Sequence, residues 1–489
     1  MASWKKTRDS YSPVHVNLDE RPAARSETLD TAWVVVIGVA FIGIFTSWFG
    51  TQSFAVKLLN TGGAQLGSWL IGIVYIVFIL SNQIAPSVVG WIGAKWTMVA
   101  GSCGYFLVVA GTASQNDTLT LLGGACVGAG AGLLWSGQGR MVTDLSTDRT
   151  RGLCWGIFDA LMMGGSGLVG NAITINFAPT TPNATATADG SDGSDGSHGG
   201  DEQFDKEVRE YFTILCFPVA IAIVVLMCIP NLPKPTEQFS ITGRIRRTWD
   251  VATTREMLIM APYCFHIGIA IGFTIYFNTI IHDNKALGVI GLYNCLGGFL
   301  ALPIGRLSDT FGRRPIALLA MAMDLVAYYA ATVAAQKEHQ PHWHGDLMDS
   351  ISPKVCGYAC FAGLLDGGAR SLIQVLQAAT ISTLFGKKDS EAAFAMQQTW
   401  LSISSILICC VLTQVLPTTD VEPAVALRHF KTVMGVCAAS LVVSTGFYCV
   451  AEPAPGWCFS GSKADETWKQ APVVGWRKAR KSYEEVLIQ

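Results

Sequence analysis

Long apolar runs separated by short polar segments dominate the chain, and this pattern predicts its architecture. Twelve runs are each long enough for a helix that crosses the roughly 30 Å hydrocarbon core of a bilayer. They lie at about 33–56, 66–88, 96–115, 119–139, 153–177, 211–230, 257–281, 286–304, 315–335, 355–382, 393–416 and 430–451. The pattern therefore predicts an all-α polytopic membrane protein that is surrounded by the lipid bilayer.

Composition leads to the same class and excludes others. Half of the 489 residues are hydrophobic, 14% are charged and the mean hydropathy is +0.38, which is too apolar for a soluble protein of this length. The net charge of −2 argues against a nucleic-acid partner. The sequence contains no phosphate-binding loop, no serine or cysteine triad and no zinc-ligand spacing. We therefore expect no enzyme, no catalytic residue, no cofactor and no metal site.

Positive charge is distributed unevenly between the segments that connect the predicted helices. Most Lys and Arg residues fall on one side of the membrane if the N-terminal segment is cytoplasmic. Because cytoplasmic segments are enriched in these residues, the pattern predicts that segments 1–32 and 452–489 are both cytoplasmic. The glycosylation sequon at Asn183 then falls in an outer loop, which predicts a glycoprotein of the plasma membrane or an endolysosomal membrane.

The segment 305–314, Gly-Arg-Leu-Ser-Asp-Thr-Phe-Gly-Arg-Arg, lies between predicted helices 8 and 9. Its first glycine allows two helix ends to approach closely, and its aspartate can accept hydrogen bonds from the N-terminus of a neighbouring helix. The spacing G-x-x-x-D-x-x-G-R-R resembles the loop signature of the major facilitator superfamily. A plain basic turn between two membrane helices is the alternative. The resemblance implies a 12-helix fold of two six-helix bundles, with a gating motif formed by Gly305, Asp309, Gly312, Arg313 and Arg314.

Weak internal repetition divides the chain into two halves. The sequence Gly-Leu-Leu-Trp-Ser-Gly-Gln-Gly-Arg at 132–140 parallels Gly-Leu-Leu-Asp-Gly-Gly-Ala-Arg at 363–370. Residues 93–95, Gly-Ala-Lys, likewise correspond to the end of the signature at 312–314. Repeats of this kind place a substrate site between the halves, near the membrane midplane. The predicted domains are a bundle at 33–230, a cytoplasmic linker at 231–256 and a second bundle at 257–451.

Several short segments indicate a narrower family within the superfamily. They are Leu-Trp-Ser-Gly-Gln-Gly-Arg at 134–140, Gly-Ile-Phe at 156–158, Leu-Asp-Gly at 365–367 and Leu-Phe-Gly at 384–386. These segments resemble the Unc-93-like family of the superfamily, and the resemblance extends over roughly residues 40–450. Asp159 is a departure, since the family usually has an aromatic residue there. The resemblance implies either transport of a solute or ion, or regulation and trafficking of other membrane proteins or ion channels.

Few ionisable residues lie within the predicted helices, and a charge at membrane depth is costly unless it is paired or faces water. Asp366 and Arg370 are four residues apart, so they share one face of helix 10. They form either a structural ion pair or, since helix 10 lines the cavity in the superfamily, a protonatable site that couples transport to a proton. By the same resemblance Asp159 lies on a cavity-lining helix and ranks above Asp324. His266 is either a proton relay or a buried hydrogen-bonding group.

Uncharged polar residues in the predicted helices either line the cavity or hold helices together by hydrogen bonds. They are Gln52, Gln138, Asn171, Asn278, Asn294, Gln374 and Gln398. The sequence thus predicts an Unc-93-like transporter that moves an unidentified small solute or ion by alternating access, with proton coupling left open. The alternative is a non-transporting regulator whose partners are other membrane proteins. Acidic and polar groups on a continuous cavity favour the transporter, and an apolar plug favours the regulator.

Overall fold

The computed structural model describes residues 27–59, 66–147, 149–179, 197–232, 241–280, 284–338, 353–415 and 423–451, and nearly all of these residues are helical. The first half contains α1 (Glu27–Leu59), α2 (Leu66–Ile92), α3 (Ala94–Ala113), α4 (Asp117–Leu145), α5 (Arg151–Asp159), α6 (Ser166–Phe177) and α7 (Ser197–Cys228). After α8 (Ile241–Ala252), the second half contains α9 (Arg255–Ile280), α10 (Asn284–Gly298), α11 (Ala301–Phe311), α12 (Arg314–Glu338), α13 (Pro353–Val415) and α14 (Pro423–Ala451).

Within the described residues, nine helical segments are long and apolar enough to cross a membrane. They correspond to predicted spans 1 to 6, 8, 9 and 12. Helix α9 lies at predicted span 7. Helix α13 covers predicted spans 10 and 11. Gly386, with φ of 58°, divides it into two limbs, at 353–385 and 387–415. The prediction of an all-α polytopic membrane protein is therefore confirmed.

Two predicted spans are not regular helices. A π-helical segment, Ala160–Gly165, joins α5 to α6 within predicted span 5. Predicted span 8 is divided into α10 and α11 by a turn at residues 299–300, and α11 continues to Phe311. Irregular turns of this kind often occur at functional sites, where they change the direction of side chains.

Helix α8 lies within the segment 231–256 that the sequence predicts as a linker. Its arginines pack against both halves. A Cβ atom at Gly90 of α2 would overlap the guanidinium of Arg244, and Arg247 forms an ion pair with Asp389 of α13. The helix therefore connects the first half to the second limb of α13.

The internal repeat is visible in the backbone. Gly93, which precedes α3, has φ of 91°, and Gly312, which follows α11, has φ of 85°. L-residues with a side chain rarely adopt such angles, so glycine is required at both turns. The two positions are the ones that the sequence repeat pairs. We call the end of the bundle that carries Gly312 the motif side.

Glycines allow the two halves to approach each other on the motif side. A Cβ atom at Gly305 of α11 would overlap the backbone oxygen of Gly152 of α5, and Gly156 is equally close to Ala301. Gly305 therefore lies where α5 and α11 approach each other closely. Towards the other side, Gly167 and Asn171 of α6 contact Cys295 and Gly291 of α10. These contacts leave a cavity between the halves.

Candidate functional site

The central cavity has a volume of about 310 Å³ and is lined by helices of both halves. Three of its described lining residues carry a charge, namely Asp159, Asp366 and Arg370. The structure therefore brings together residues that the sequence singled out on separate helices. The further polar residues of the lining are Gln52, Gln138, Asn171, Thr174, Thr274, Asn294, Gln374, Gln377, Gln397 and Gln398, together with the tyrosines 75, 105 and 328.

Asp366 and Arg370 form an ion pair on the first limb of α13, as their spacing predicts. Nη2 of Arg370 lies 3.0 Å from both carboxylate oxygens of Asp366. The amide of Asn294, on α10, donates a hydrogen bond of 2.9 Å to the same carboxylate. The charge of Asp366 is thus balanced by the guanidinium of Arg370, and the hydrogen bond from Asn294 connects α10 to α13.

Asp159 is the last residue of α5 and lies directly before the π-helical segment. Its side chain is 4% exposed, and its Oδ2 atom has no hydrogen-bond partner among the described residues. The hydroxyl of Ser371, on α13, lies beside the carboxyl, but no charged side chain of the described chain interacts with it. Asp159 therefore differs from Asp366, since it is buried without a counter-charge.

Aromatic side chains form much of the cavity wall next to Asp159. The ring of Trp155 lies 6.0 Å from that of Phe158, and 5.1 Å from that of Phe394 on the second limb of α13. Phe45 of α1 packs against Trp135 at 5.3 Å. All five rings line the cavity, so the first half presents a largely aromatic surface there.

Amide side chains add hydrogen-bonding groups to the same cavity. Gln138, on α4, is 1% exposed and its Nε2 atom has no partner among the described residues. Gln397 donates a 2.9 Å hydrogen bond to Gln377, which leaves its own oxygen without a partner in the described chain. Gln52 donates to the hydroxyl of Tyr75 at 3.3 Å. Gln138 and Gln397 therefore each have one buried polar atom without a partner among the described residues.

His266 does not line the cavity, although the sequence made it a candidate for coupling. It is 1% exposed on α9, and its Nε2 atom lies 3.8 Å from Asp324 of α12. Its Nδ1 atom lies 3.3 Å from the hydroxyl of Ser440 on α14. Tyr328 lines the cavity and donates a 3.2 Å hydrogen bond to Asp324. The buried pair thus lies behind the cavity wall, and Tyr328 separates it from the cavity.

The gating motif makes the contact that its aspartate predicts. Asp309 accepts hydrogen bonds from the backbone nitrogens of Gly152 at 3.0 Å and Leu153 at 3.1 Å. Its carboxylate therefore binds the N-terminus of α5, where free N–H groups and the helix dipole favour negative charge. Arg313 donates to Thr380 and Thr383 of α13 at 3.3 and 3.0 Å. The motif thus links α11 to both α5 and α13.

The motif side also contains an ion-pair cluster that the sequence did not predict. Arg140 of α4 lies 2.9 Å from Glu391 of α13 and 2.6 Å from Asp144. Arg244 of α8 approaches the other oxygen of Glu391 at 3.6 Å. Burial raises the pKa of the Glu391 carboxyl, and the two arginines oppose the rise. Removal of either arginine would consequently favour protonation of Glu391.

Ser382 forms a second set of contacts between the halves. Its backbone oxygen accepts a 3.1 Å hydrogen bond from Arg151, and its hydroxyl accepts one of 3.1 Å from the indole of Trp155. Thr143 of α4 lies 3.1 Å from the same hydroxyl. Phe394 packs over Gly139, where a Cβ atom would overlap the phenyl ring. These contacts join α4 and α5 to α13 between the cavity and the motif side.

The remaining predicted residues are less completely defined. Asn278 lies near the end of α9, where the structure describes the backbone only. Asn183 lies outside the described residues, so its glycosylation stays a prediction. Within the described part of the chain, no group of three or more His, Cys, Asp or Glu side chains could hold a metal ion.

Comparison of the sequence with known families gives a match over residues 64–419 to the family described as "Ion channel regulatory protein UNC-93". The chain is 27% identical over 330 residues to the UNC93-like protein MFSD11 of Xenopus laevis, which covers 60% of this chain and 70% of that protein. It is 26% identical over 176 residues to UNC93-like protein 3 of Arabidopsis thaliana, which covers 34% of this chain and 37% of that protein.

Comparison of the structure gives major facilitator transporters. The fucose:proton symporter FucP of E. coli superposes with a TM-score of 0.60 at 13% identity, over 88% of this chain and 100% of that chain. The human organic anion transporter MFSD10 superposes with a TM-score of 0.59 at 11% identity, over 87% of this chain and 100% of that chain. At these identities the likeness concerns the fold alone, and it confirms the 12-helix, two-bundle architecture.

Proposed function

The chain belongs to the UNC-93 family, and we propose that it is a transporter that moves a small solute or ion through its central cavity by alternating access. The observation that carries this proposal is the group of charged and amide side chains on a cavity wall that is otherwise mostly apolar. Asp159, Asp366 and Arg370 face one space between the halves, together with several amides. Charged groups at membrane depth are costly, so they are retained where a pathway or site uses them.

Alternating access requires contacts that hold the halves together on one side and can be released. The contacts of Asp309 with the start of α5 and of Arg140 with Glu391 connect the halves on the motif side. Both are charge-assisted, and water can replace them when the halves separate. We assign Gly305, Asp309, Gly312, Arg313 and Arg314 to the gate that stabilises the state closed on the motif side.

We assign proton coupling to Asp366. Its carboxylate lines the cavity and is held by Arg370 and Asn294. Protonation of Asp366 would release the guanidinium, which could then bind a different acceptor in the other state of the cycle. The change in partner would link proton binding to a change in helix contacts. Gln52, Gln138 and Asn278 are assigned to the solute pathway as polar lining groups.

We infer that the motif side faces the cytoplasm and that both termini lie on that side, in the plasma membrane or an endolysosomal membrane. The support is the concentration of arginine there. Arg244 and Arg247 of α8 and the arginines of the motif belong to the same side of the bundle. Cytoplasmic segments of membrane proteins carry such an excess of positive charge.

Uptake into liposomes that contain only the purified protein tests the proposal. The solutes are radiolabelled amino acids, sugars, nucleosides, amines and alkali-metal ions, each assayed with and without a pH gradient. Protein-free liposomes and liposomes containing the Asp159→Asn variant are the controls. We expect saturable uptake of one class that the variant loses. Folded, monodisperse protein that takes up none of these classes would contradict the proposal.

The second candidate function is regulation of another membrane protein, because the family description names ion channel regulation. In that case the cavity would not need to open to both sides. Cross-linking of the two halves through a disulfide across the motif side would then leave regulation intact. The same cross-link would abolish transport, so it distinguishes the two candidates.

A further inference from the structure

We propose that the cavity binds an organic cation, a protonated or quaternary amine on an apolar body, with its positive charge against Asp159. The inference rests on the proposed function and names the class of solute. It concerns the half of the cavity formed by α4, α5 and the second limb of α13, and not the Asp366–Arg370 pair.

The charge balance of the cavity favours a cationic ligand over an anionic one. Its described lining contains two carboxylates, Asp159 and Asp366, and one guanidinium, Arg370. Since Arg370 is bound to Asp366 at 3.0 Å, the remaining negative charge belongs to Asp159. A buried carboxylate without a partner is costly in a region of low dielectric constant, so it either binds a proton or receives a cationic ligand.

The environment of Asp159 favours an organic ligand over a proton alone. Its Oδ2 atom has no hydrogen-bond partner in the described chain, and Asp159 is one of the residues that line the cavity. Trp155 and Phe158 lie on the same helix and also line the cavity, with Trp135 on the neighbouring α4. Aromatic faces attract a cation through the ring quadrupole, and a carboxylate beside them supplies the opposite charge.

The size of the cavity and its amides define the ligand further. A volume of about 310 Å³ is far larger than an alkali-metal ion needs and lies at the lower end of the range for small-molecule sites. Gln138 and Gln397 each have an atom without a partner in the described chain. A ligand hydroxyl at a distance from the amine could accept a hydrogen bond from Nε2 of Gln138 and donate one to Oε1 of Gln397. The solute we infer is thus a compact amine with an aromatic or aliphatic body and a second polar group.

Four probes of matched shape test the charge preference. They are 2-phenylethylammonium, trimethyl(2-phenylethyl)ammonium, the neutral 2-phenylethanol and the anionic 3-phenylpropionate. Binding to the purified full-length protein is measured by quenching of tryptophan fluorescence and by the change in melting temperature. We expect both cations to bind with about tenfold or greater preference over the other two, because a charge-assisted contact is worth more than a neutral one.

Asp159→Asn is the decisive variant, since it keeps the shape of the side chain and removes its charge. We expect it to weaken binding of the quaternary probe by about tenfold or more, with little change for 2-phenylethanol. Asp117→Asn, which alters an exposed carboxylate at the start of α4, is the matched control and should bind like the unaltered protein.

The outcomes separate this inference from the proposed function. Equal binding of all four probes, preference for the anion, no binding of either cation, or unaltered cation binding by Asp159→Asn would each overturn the inference. Cation binding that depends on Asp159 without uptake of the cation into liposomes would support the site and contradict transport. Uptake of a different solute class that ignores Asp159 would support transport and overturn the cation site.

Discussion

The guanidinium of Arg140 lies 2.9 Å from the carboxylate of Glu391, although the two residues are 251 positions apart in the chain. The pair connects α4 of the first half to α13 of the second, and both side chains are largely buried. Asp144 and Arg244 extend it into a cluster of four charges. The cluster therefore stabilises the contact between the two halves on the motif side.

Glu391→Gln should weaken that closure. The change leaves Arg140 paired with Asp144 but removes the counter-charge from Arg244, and loss of one partner of a buried pair typically costs about 3–5 kcal/mol. We expect a cysteine placed at Ser390, which is buried beside Glu391, to react faster with an impermeant maleimide in this variant. The background would lack the native cysteines.

Asp389→Asn is the matched control for this experiment. Its partner Arg247 and Asp389 itself are both about a quarter exposed. Water partly screens such a pair, so we expect it to contribute less than the buried pair of Arg140 and Glu391. Labelling should therefore change little. Equal labelling rates in the two variants would show that the buried Arg140–Glu391 pair contributes no more to closure than the Arg247–Asp389 pair does.

Asp309→Asn should shift the balance between the two end states without loss of expression. The amide oxygen can still accept a hydrogen bond from Gly152, but the charge that interacts with the dipole of α5 is removed. The expected loss is on the order of 1–3 kcal/mol of the closed state. The rate at which maleimide labels the Ser390→Cys probe measures this loss. Thr310→Ala, in which the hydroxyl contacts only its own helix, is the control. Unchanged labelling would exclude Asp309 from the gate.

Asp366→Asn should lower the melting temperature in detergent. The variant leaves Arg370 buried without its counter-charge, which typically costs several kcal/mol. The double variant Asp366→Asn/Arg370→Leu removes both charges and should recover much of the stability.

The same double variant tests proton coupling. If Asp366 couples transport to a proton, uptake by the double variant should no longer depend on a pH gradient. Recovered stability together with unaltered dependence on the gradient would assign the pair a purely structural role.

His266→Leu should destabilise the second half, because Asp324 loses the imidazole that lies 3.8 Å away and keeps only the hydroxyl of Tyr328. A drop of several degrees in melting temperature is expected. Ser440→Ala, which removes only the neutral partner of Nδ1, should cost about 1 kcal/mol. A larger effect of Ser440→Ala than of His266→Leu would mean that the Asp324 contact does not stabilise the fold.

Asn183→Gln should abolish the glycan-dependent mobility shift of the protein expressed in a eukaryotic secretory pathway, if its loop is outside. Asn116→Gln is the matched control. Asn116 caps α4, and its side-chain oxygen accepts a 3.1 Å hydrogen bond from the backbone of Leu119. We expect no glycan there. A shift that persists in Asn183→Gln, or a protease that reaches this loop from the cytosol, would contradict the topology.

The fold was predictable because its main determinants are local. Apolar run lengths define membrane helices, and the spacing in 305–314 indicates the superfamily. The Asp366–Arg370 pair was predictable for the same reason, since positions four residues apart on a helix are neighbours. The contact of Asp309 with α5 also followed from the motif.

Contacts between distant segments were not predictable from one sequence. Glu391 falls between predicted spans 10 and 11, and nothing near it in sequence indicates that Arg140 is its partner. A usable signal was present, since both were expected at the same face of the membrane with opposite charges. His266 and Asp324 were each singled out, but the sequence could not pair them because their contact depends on how α9 and α12 each pack against α14. The π-helical segment likewise depends on packing and has no clear sequence pattern.

Helix α5 carries, at its two ends, groups that belong to the motif side and to the cavity. Its nine residues carry the backbone nitrogens bound by Asp309 at one end and the carboxylate of Asp159 at the other. The two ends are only about 10 Å apart at 1.5 Å per residue, and an α-helix is stiff along its axis. The π-helical segment begins immediately after Asp159. Helix α5 thus forms a short regular connection between the cavity and the motif side. A ligand that displaces Asp159 would therefore also displace the N-terminus of α5, which Asp309 binds.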